Sequence, residues 1–272
     1  MHVQALPSSD LNVVFNEAYE GPLVVELPPG AVFRQKVVVG RDDLTVIGNG
    51  CTIVWDDHNG MSPGFGTGDS ATLCIKGRNV VFRNLIVENS FDYPKARRQR
   101  EEDPSSMMGL QAVAVFVEPS AGDVSFQGCR FLGWQDTLFA DGRSCTFQDC
   151  FIRGNVDFVF GRSNALFHGC TIESCGAGFV AAPSTVEGSE GFVFEDCTFT
   201  CDDAVDDDGV YLARPWHPGG RPGVRSAAVF RDCRFARHVN RNLWTSMRDS
   251  KGVVHTPDES RFIMDRHTCR WV

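Results

Sequence analysis

The hexapeptide FQGCRF at Phe126–Phe131 decides the architecture, because it returns downstream at nearly regular intervals. It comes back as FQDCFI (Phe147–Ile152), FHGCTI (Phe167–Ile172), FEDCTF (Phe194–Phe199) and FRDCRF (Phe230–Phe235), and a degenerate copy, FRNLIV, starts at Phe82. The cysteines of the full copies, Cys129, Cys150, Cys170, Cys197 and Cys233, are separated by 21, 20, 27 and 36 residues. Apolar residues fall at every other position or nearly so within each copy, the period of a strand with one buried face. The segments between are short, carry Gly, Asp and Asn, and include further strand-like runs at Val37–Val39, Leu44–Ile47 and Thr52–Trp55. No stretch reads as an amphipathic helix. Strand units of this period stack coil upon coil through parallel pairing, which is a β-solenoid. Unequal spacings mark coils with a protruding loop, and such loops commonly build a binding face. At one position per coil, the cysteines form an inward ladder of small apolar side chains beside the phenylalanines.

Bulk properties narrow the partners. The chain of 272 residues carries a net charge of −9 and has 21 Phe against 3 Tyr. A nucleic-acid site needs a basic footprint, so nucleic acid is not expected as a partner. A polyanionic sugar is easier to approach when its carboxyls are esterified. No apolar run reaches the length of a membrane span, and no membrane association is expected. Met1–Asp10 has neither a basic nor an apolar leader region. Eleven cysteines, an odd number without a CxxC pair, fit reduced thiols rather than a disulfide framework or a zinc site. A cytoplasmic location is expected, or secretion if a leader has been removed. A single domain over residues 1–272, acting as a monomer, is the expected organisation.

The repeat also places acidic residues. Asp136 follows Cys129 by seven positions, and Asp157 follows Cys150 by seven. They therefore share one phase of consecutive coils, and strands stacked about 4.8 Å apart bring their carboxyls within reach of each other. Two carboxylates that close cannot both ionise cheaply, so one keeps its proton at neutral pH and an acid stands beside a base or nucleophile. An Asp ladder that only caps a turn has the same spacing. The flanking residues favour chemistry: Gln135 offers an amide donor, and Arg214, in YLARPW (Tyr211–Trp216), can hold a carboxylate in its ionised form. Trp134, Phe139, Phe160 and Trp216 cluster around these positions and suit a sugar ring.

GWQDTLFADG (Gly133–Gly142), GNVDFVFG (Gly154–Gly161) and YLARPW resemble the signature segments of pectin methylesterases. LQAVAVFVE (Leu110–Glu118) resembles the strand that opens the same site, and weaker similarity runs from LPPGAVFRQKVVV near Leu27 to Arg261–Cys269. The resemblance implies a right-handed, single-stranded parallel β-helix, all-β, that hydrolyses C6 methyl esters of galacturonan or oligogalacturonides to methanol and free carboxylates. It implies that Asp157 is the nucleophile, Asp136 the general acid and then base, Gln135 and Gln111 the oxyanion donors, and Arg214 the residue that orients Asp157. Trp216, Phe160, Phe139 and Trp134 would contact the sugar; no metal or organic cofactor is implied. The sequence departs from the family pattern where Trp134 and Phe139 replace tyrosines, where Phe33-Arg34-Gln35 lacks an acid, and where RFIMD lacks a Glu-Tyr pair after Arg-Phe.

Other readings compete. A lyase on the same fold would use a calcium-binding carboxylate cluster, for which Asp202–Asp208 (DDAVDDD) is the one candidate, read here as a solvated loop. A serine esterase lacks its Gly-x-Ser-x-Gly element. An acyl-thioester hydrolase could reuse the same aspartates, and a non-catalytic glycan-binding β-helix would use the aromatics alone. The charge-rich loop Asp92–Met108 reads as a solvated insertion.

Overall fold

A computed structural model describes residues 1–103 and 109–272. The chain winds as a parallel β-helix. One face is a ten-stranded sheet in which each coil lays its strand beside the preceding one: Val80–Arg83, Asp123–Gln127, Ser144–Gln148, Asn164–His168, Phe192–Glu195 and Ala227–Arg231 are successive neighbours, all parallel. A second sheet covers the other two faces. Its long strand Phe151–Gly161 pairs at one end with Arg130–Leu132 and at the other with Leu138–Ala140, so it turns the corner between them.

In-register pairing keeps like residues together. Phe82, Phe126, Phe147, Phe167, Phe194 and Phe230 stack in one column, with successive ring centroids 5.3, 5.1, 4.6, 4.5 and 4.7 Å apart. Phe131, Ile152, Ile172, Phe199 and Phe235 form a second buried column facing the first. The cysteines make a third. Cys150, Cys170, Cys197 and Cys233 are buried, unbridged thiols, each donating to the carbonyl of a Phe in the preceding coil at 3.3–3.5 Å.

Two readings of the sequence need correction. The hexapeptide is not one strand: in FQGCRF, Phe126 and Gln127 end a strand, Gly128 and Cys129 turn a corner, and Arg130 opens the next. The third residue of each copy carries the turn in a left-handed conformation, with φ of 49°, 61°, 52°, 64°, 51° and 55° at Asn84, Gly128, Asp149, Gly169, Asp196 and Asp232. Only Gly, Asn and Asp visit that region readily, which is why the third repeat position is confined to them.

Second, the insertion contains a helix, Tyr93–Glu102. Asp92 caps it by accepting from the Lys95 amide at 3.1 Å, Pro94 sits in its first turn, and the body is strong helix-forming sequence. Only Tyr93 and Ala96 are buried, so it carries almost no apolar period to read. Residues 104–108 of that insertion lie outside the described residues.

The Phe column predicts a large local cost of truncation. Phe147 stacks on both Phe126 and Phe167, and Phe147→Ala is expected to destabilise the chain by about 3–5 kcal/mol, measured by denaturant unfolding.

Candidate active site

Pairing of Leu138 with Val159 and Phe139 with Phe160 sets Asp136 and Asp157 on neighbouring coils in one register. The Asp136 amide donates to the Val156 carbonyl at 3.0 Å, which anchors the two turns to each other. Both aspartates sit in left-handed backbone, with φ of 66° and 49°, and the register of the Asp157 strand against its next neighbour shifts on either side of Val156. These irregularities concentrate where the side chains must leave the plane of the sheet. Gly154 is required for the same approach, since a Cβ there would lie 2.6 Å from the Trp134 carbonyl and 2.3 Å from the Phe158 Cβ.

Arg214 arrives from two coils further on. Its Nε and Nη2 donate to the two oxygens of Asp157 at 2.7 and 2.5 Å, a bidentate guanidinium–carboxylate pair. The guanidinium lies 3.6 Å over the ring of Phe179, on the coil between, so the fork is clamped from below as well. Asp136 has no such partner among the described residues. Burial first, and then the neighbouring Asp157 charge, push its carboxyl well above the ordinary value against the opposing pull of Arg214. The protonated form of Asp136 is therefore the one its surroundings favour.

A cleft of about 540 Å³ opens over the two carboxyls, lined by Gln111, Gln135, Phe139, Phe160, Arg214 and Trp216 among others. The Gln111 side-chain oxygen accepts from Asn59 Nδ2 at 3.2 Å, which leaves its amide N–H groups available to a substrate. Eight of the nine residues expected at the site thus converge. The exception is Trp134, which precedes the corner and turns away from this cleft. Its ring stacks on Tyr93 of the inserted helix at 5.5 Å, lies under Arg153, and borders a separate cleft of about 650 Å³ with Arg130 and Phe151. A Trp next to the Gln135–Asp136 pair looks available until an unforeseen helix packs on it.

Several residues escaped the sequence reading. Phe116 extends the row of Phe139 and Phe160, with rings 4.4 and 4.2 Å apart, and its register with Phe139 was latent in LQAVAVFVE. Met247, on a short hairpin, and Thr67, in a loop, also line the cleft, from segments that carry no repeat phase.

An arginine-paired aspartate beside one that has no ion-pair partner among the described residues, amide donors next to them and an aromatic row thus share one face of a parallel β-helix. Comparison with known proteins gives the family. The pectinesterase family model matches residues 13–253, and the chain belongs to the pectinesterases, which are carboxylic ester hydrolases. It is 32% identical to Pectinesterase 31 of Arabidopsis thaliana over 85% of this chain and 70% of that one. It is 31% identical to Pectinesterase A of Dickeya chrysanthemi over 89% of this chain and 73% of that one. A solved pectin methylesterase variant in complex with a hexasaccharide superposes with a TM-score of 0.88 at 26% identity, covering 100% of this chain and 92% of that one.

Asp136 leads to a stability prediction. Its folded carboxyl keeps a proton over a pH range in which the unfolded chain has lost it, so its contribution to stability falls as pH rises above about 4. Asp136→Asn removes that penalty. Thermal unfolding is expected to show a higher midpoint for the variant at neutral pH, with the gap closing as the pH is lowered toward 4.

Proposed function

We propose that the chain hydrolyses C6 methyl esters of galacturonan or oligogalacturonides by nucleophilic catalysis from Asp157. The observation that carries this reading is the asymmetry of the two carboxyls: Asp157 accepts two N–H donors from Arg214, while Asp136 is buried, has no ion-pair partner among the described residues, and holds its proton more tightly than an ordinary carboxyl. Family membership and the hexasaccharide complex of a relative support the substrate class. The charge balance agrees, since each methyl ester hides one negative charge from a chain of net charge −9.

The steps follow from the groups present. An Asp157 oxygen attacks the ester carbonyl carbon, and the oxyanion that forms accepts hydrogen bonds from the amides of Gln135 and Gln111. The Asp136 proton passes to the methoxy oxygen as its bond to carbon breaks, releasing methanol and leaving an anhydride between Asp157 and the uronate. Asp136, now a carboxylate beside the site, takes a proton from water as the water oxygen attacks the uronate acyl carbon. Collapse frees the Asp157 carboxylate and the uronic acid group, and Asp136 is again protonated. Phe139, Phe160 and Trp216 offer apolar faces to the sugar rings.

Methanol release from highly methylated pectin and from short methylated oligogalacturonides tests this directly. Asp157→Ala and Asp136→Asn are expected to lose about a thousandfold or more in rate while remaining folded. Release of unsaturated uronate without methanol would turn the assignment to a lyase. Arg214→Lys keeps the charge but loses the planar fork and the stack on Phe179; its kcat is expected to fall about a hundredfold.

A further inference from the structure

Beyond the catalytic carboxyls, the wall of the cleft that carries Trp216 and Met247 is built from two segments that part after a single parallel bridge, Ala213 to Trp244, where the Thr245 amide donates to the Ala213 carbonyl at 3.2 Å. Trp216 lies on the stretch after Ala213, and Met247 lies on a short hairpin in which Met247–Arg248 pairs antiparallel with Val254–His255. Two histidines join them. His217 directly follows Trp216, and His255 is the cross-strand partner of Met247. Their imidazoles lie face to face, with centroids 3.6 Å apart and planes within 2° of parallel.

The hairpin side of this stack is firmly held. The Asp249 carboxylate accepts from the backbone of Lys251 and Val253 at 2.9 Å each, and its other oxygen meets His255 Nε2 at 3.1 Å. Glu259 Oε2 is 3.8 Å from His255 Nδ1. The Asp249 side chain is 2% exposed and that of His255 15%, so this contact is largely shielded from water. Two cations belong to the same surroundings: Lys251, packed beside Gly220 of the turn that follows His217, and Arg248, which donates to the Gly252 carbonyl. His217 itself makes no ion pair among the described residues, and the stack is its tie to the hairpin.

We propose that His217 and His255 are positioning residues for the substrate groove: their stack holds the Met247 hairpin against the Trp216 segment and sets the width of the cleft beside Asp136 and Asp157. The inference rests on the ester-hydrolase reading of that cleft. It has a built-in acid limit. Burial, and then the neighbouring His255, lower the His217 proton affinity below the ordinary histidine value, so the folded arrangement favours neutral His217. As pH falls below about 6.5 the open arrangement binds the proton more readily than the stacked one, and the stack weakens.

Methanol release from a methyl-esterified hexagalacturonide, followed from about pH 5 to 7.5, tests the proposal with His217→Ala, His255→Ala and His217→Phe. The alanine variants are expected to raise KM about fivefold at neutral pH with kcat within about twofold of wild type. His217→Phe, which stacks but cannot take a proton, is expected to recover KM and to abolish the rise of KM that wild type shows on acidification. Unchanged KM in the alanine variants, a fall in kcat alone, or an acid rise that survives in His217→Phe would overturn the proposal. Thermal unfolding of each variant separates loss of the groove wall from loss of the fold. If wild type releases no methanol, the reading of the activity has failed. Calorimetric affinity for the same hexamer then decides the stack, and equal affinity in wild type and the alanine variants rejects it.

Discussion

Parallel pairing in strict register is the constraint on which this molecule depends. Each coil must lay its strands beside those of the last without slipping, because a shift by one residue would carry every inward side chain to the outside. Register turns a sequence repeat into columns: phenylalanine on phenylalanine along one sheet, thiol on carbonyl at the corner, aspartate beside aspartate at the site. The first two columns are favourable by packing and burial. The third is unfavourable by itself, since it crowds two carboxyls in a buried place, and the apolar columns hold it there.

Crowding gives the two aspartates different states because they have different neighbours. Arg214 reaches Asp157 from two coils away, across Phe179, and nothing equivalent reaches Asp136 among the described residues. The irregular backbone at Asp136 and Asp157 lies within an otherwise regular ladder, so a stiff scaffold fixes both carboxyls before any substrate arrives. The cleft walls are assembled differently. One is an aromatic row on adjacent strands, Phe116, Phe139 and Phe160, and inherits the precision of the register. The other, Trp216 and Met247, comes from a loop and a short hairpin outside the ladder, joined by one backbone bridge and by side-chain contacts such as the histidine stack.

Much of this was legible in the residues. The spacing of the cysteines gave the coil, the common seven-residue offset to Asp136 and Asp157 paired the carboxyls, and the strand-like runs Val37–Val39, Leu44–Ile47 and Thr52–Trp55 are strands with those bounds. Errors arose where alternation stopped being informative. The corner inside the hexapeptide hides because a left-handed residue breaks the period without changing the apolar composition. The helix Tyr93–Glu102 buries two residues and so leaves no stripe, and Trp134 was misjudged because that helix supplies its partner.

The sequence by itself determined the class of fold, the buried columns and the pairing of the two aspartates, because each follows from periodicity and in-register stacking lays equal phases of the repeat side by side. The tertiary structure alone decided which carboxyl is forked by arginine, which aromatic rings face the cleft, and how the hairpin of Met247 meets Trp216. Those contacts join residues whose separation along the chain is set by loops, and a loop's length carries no record of the direction in which it returns.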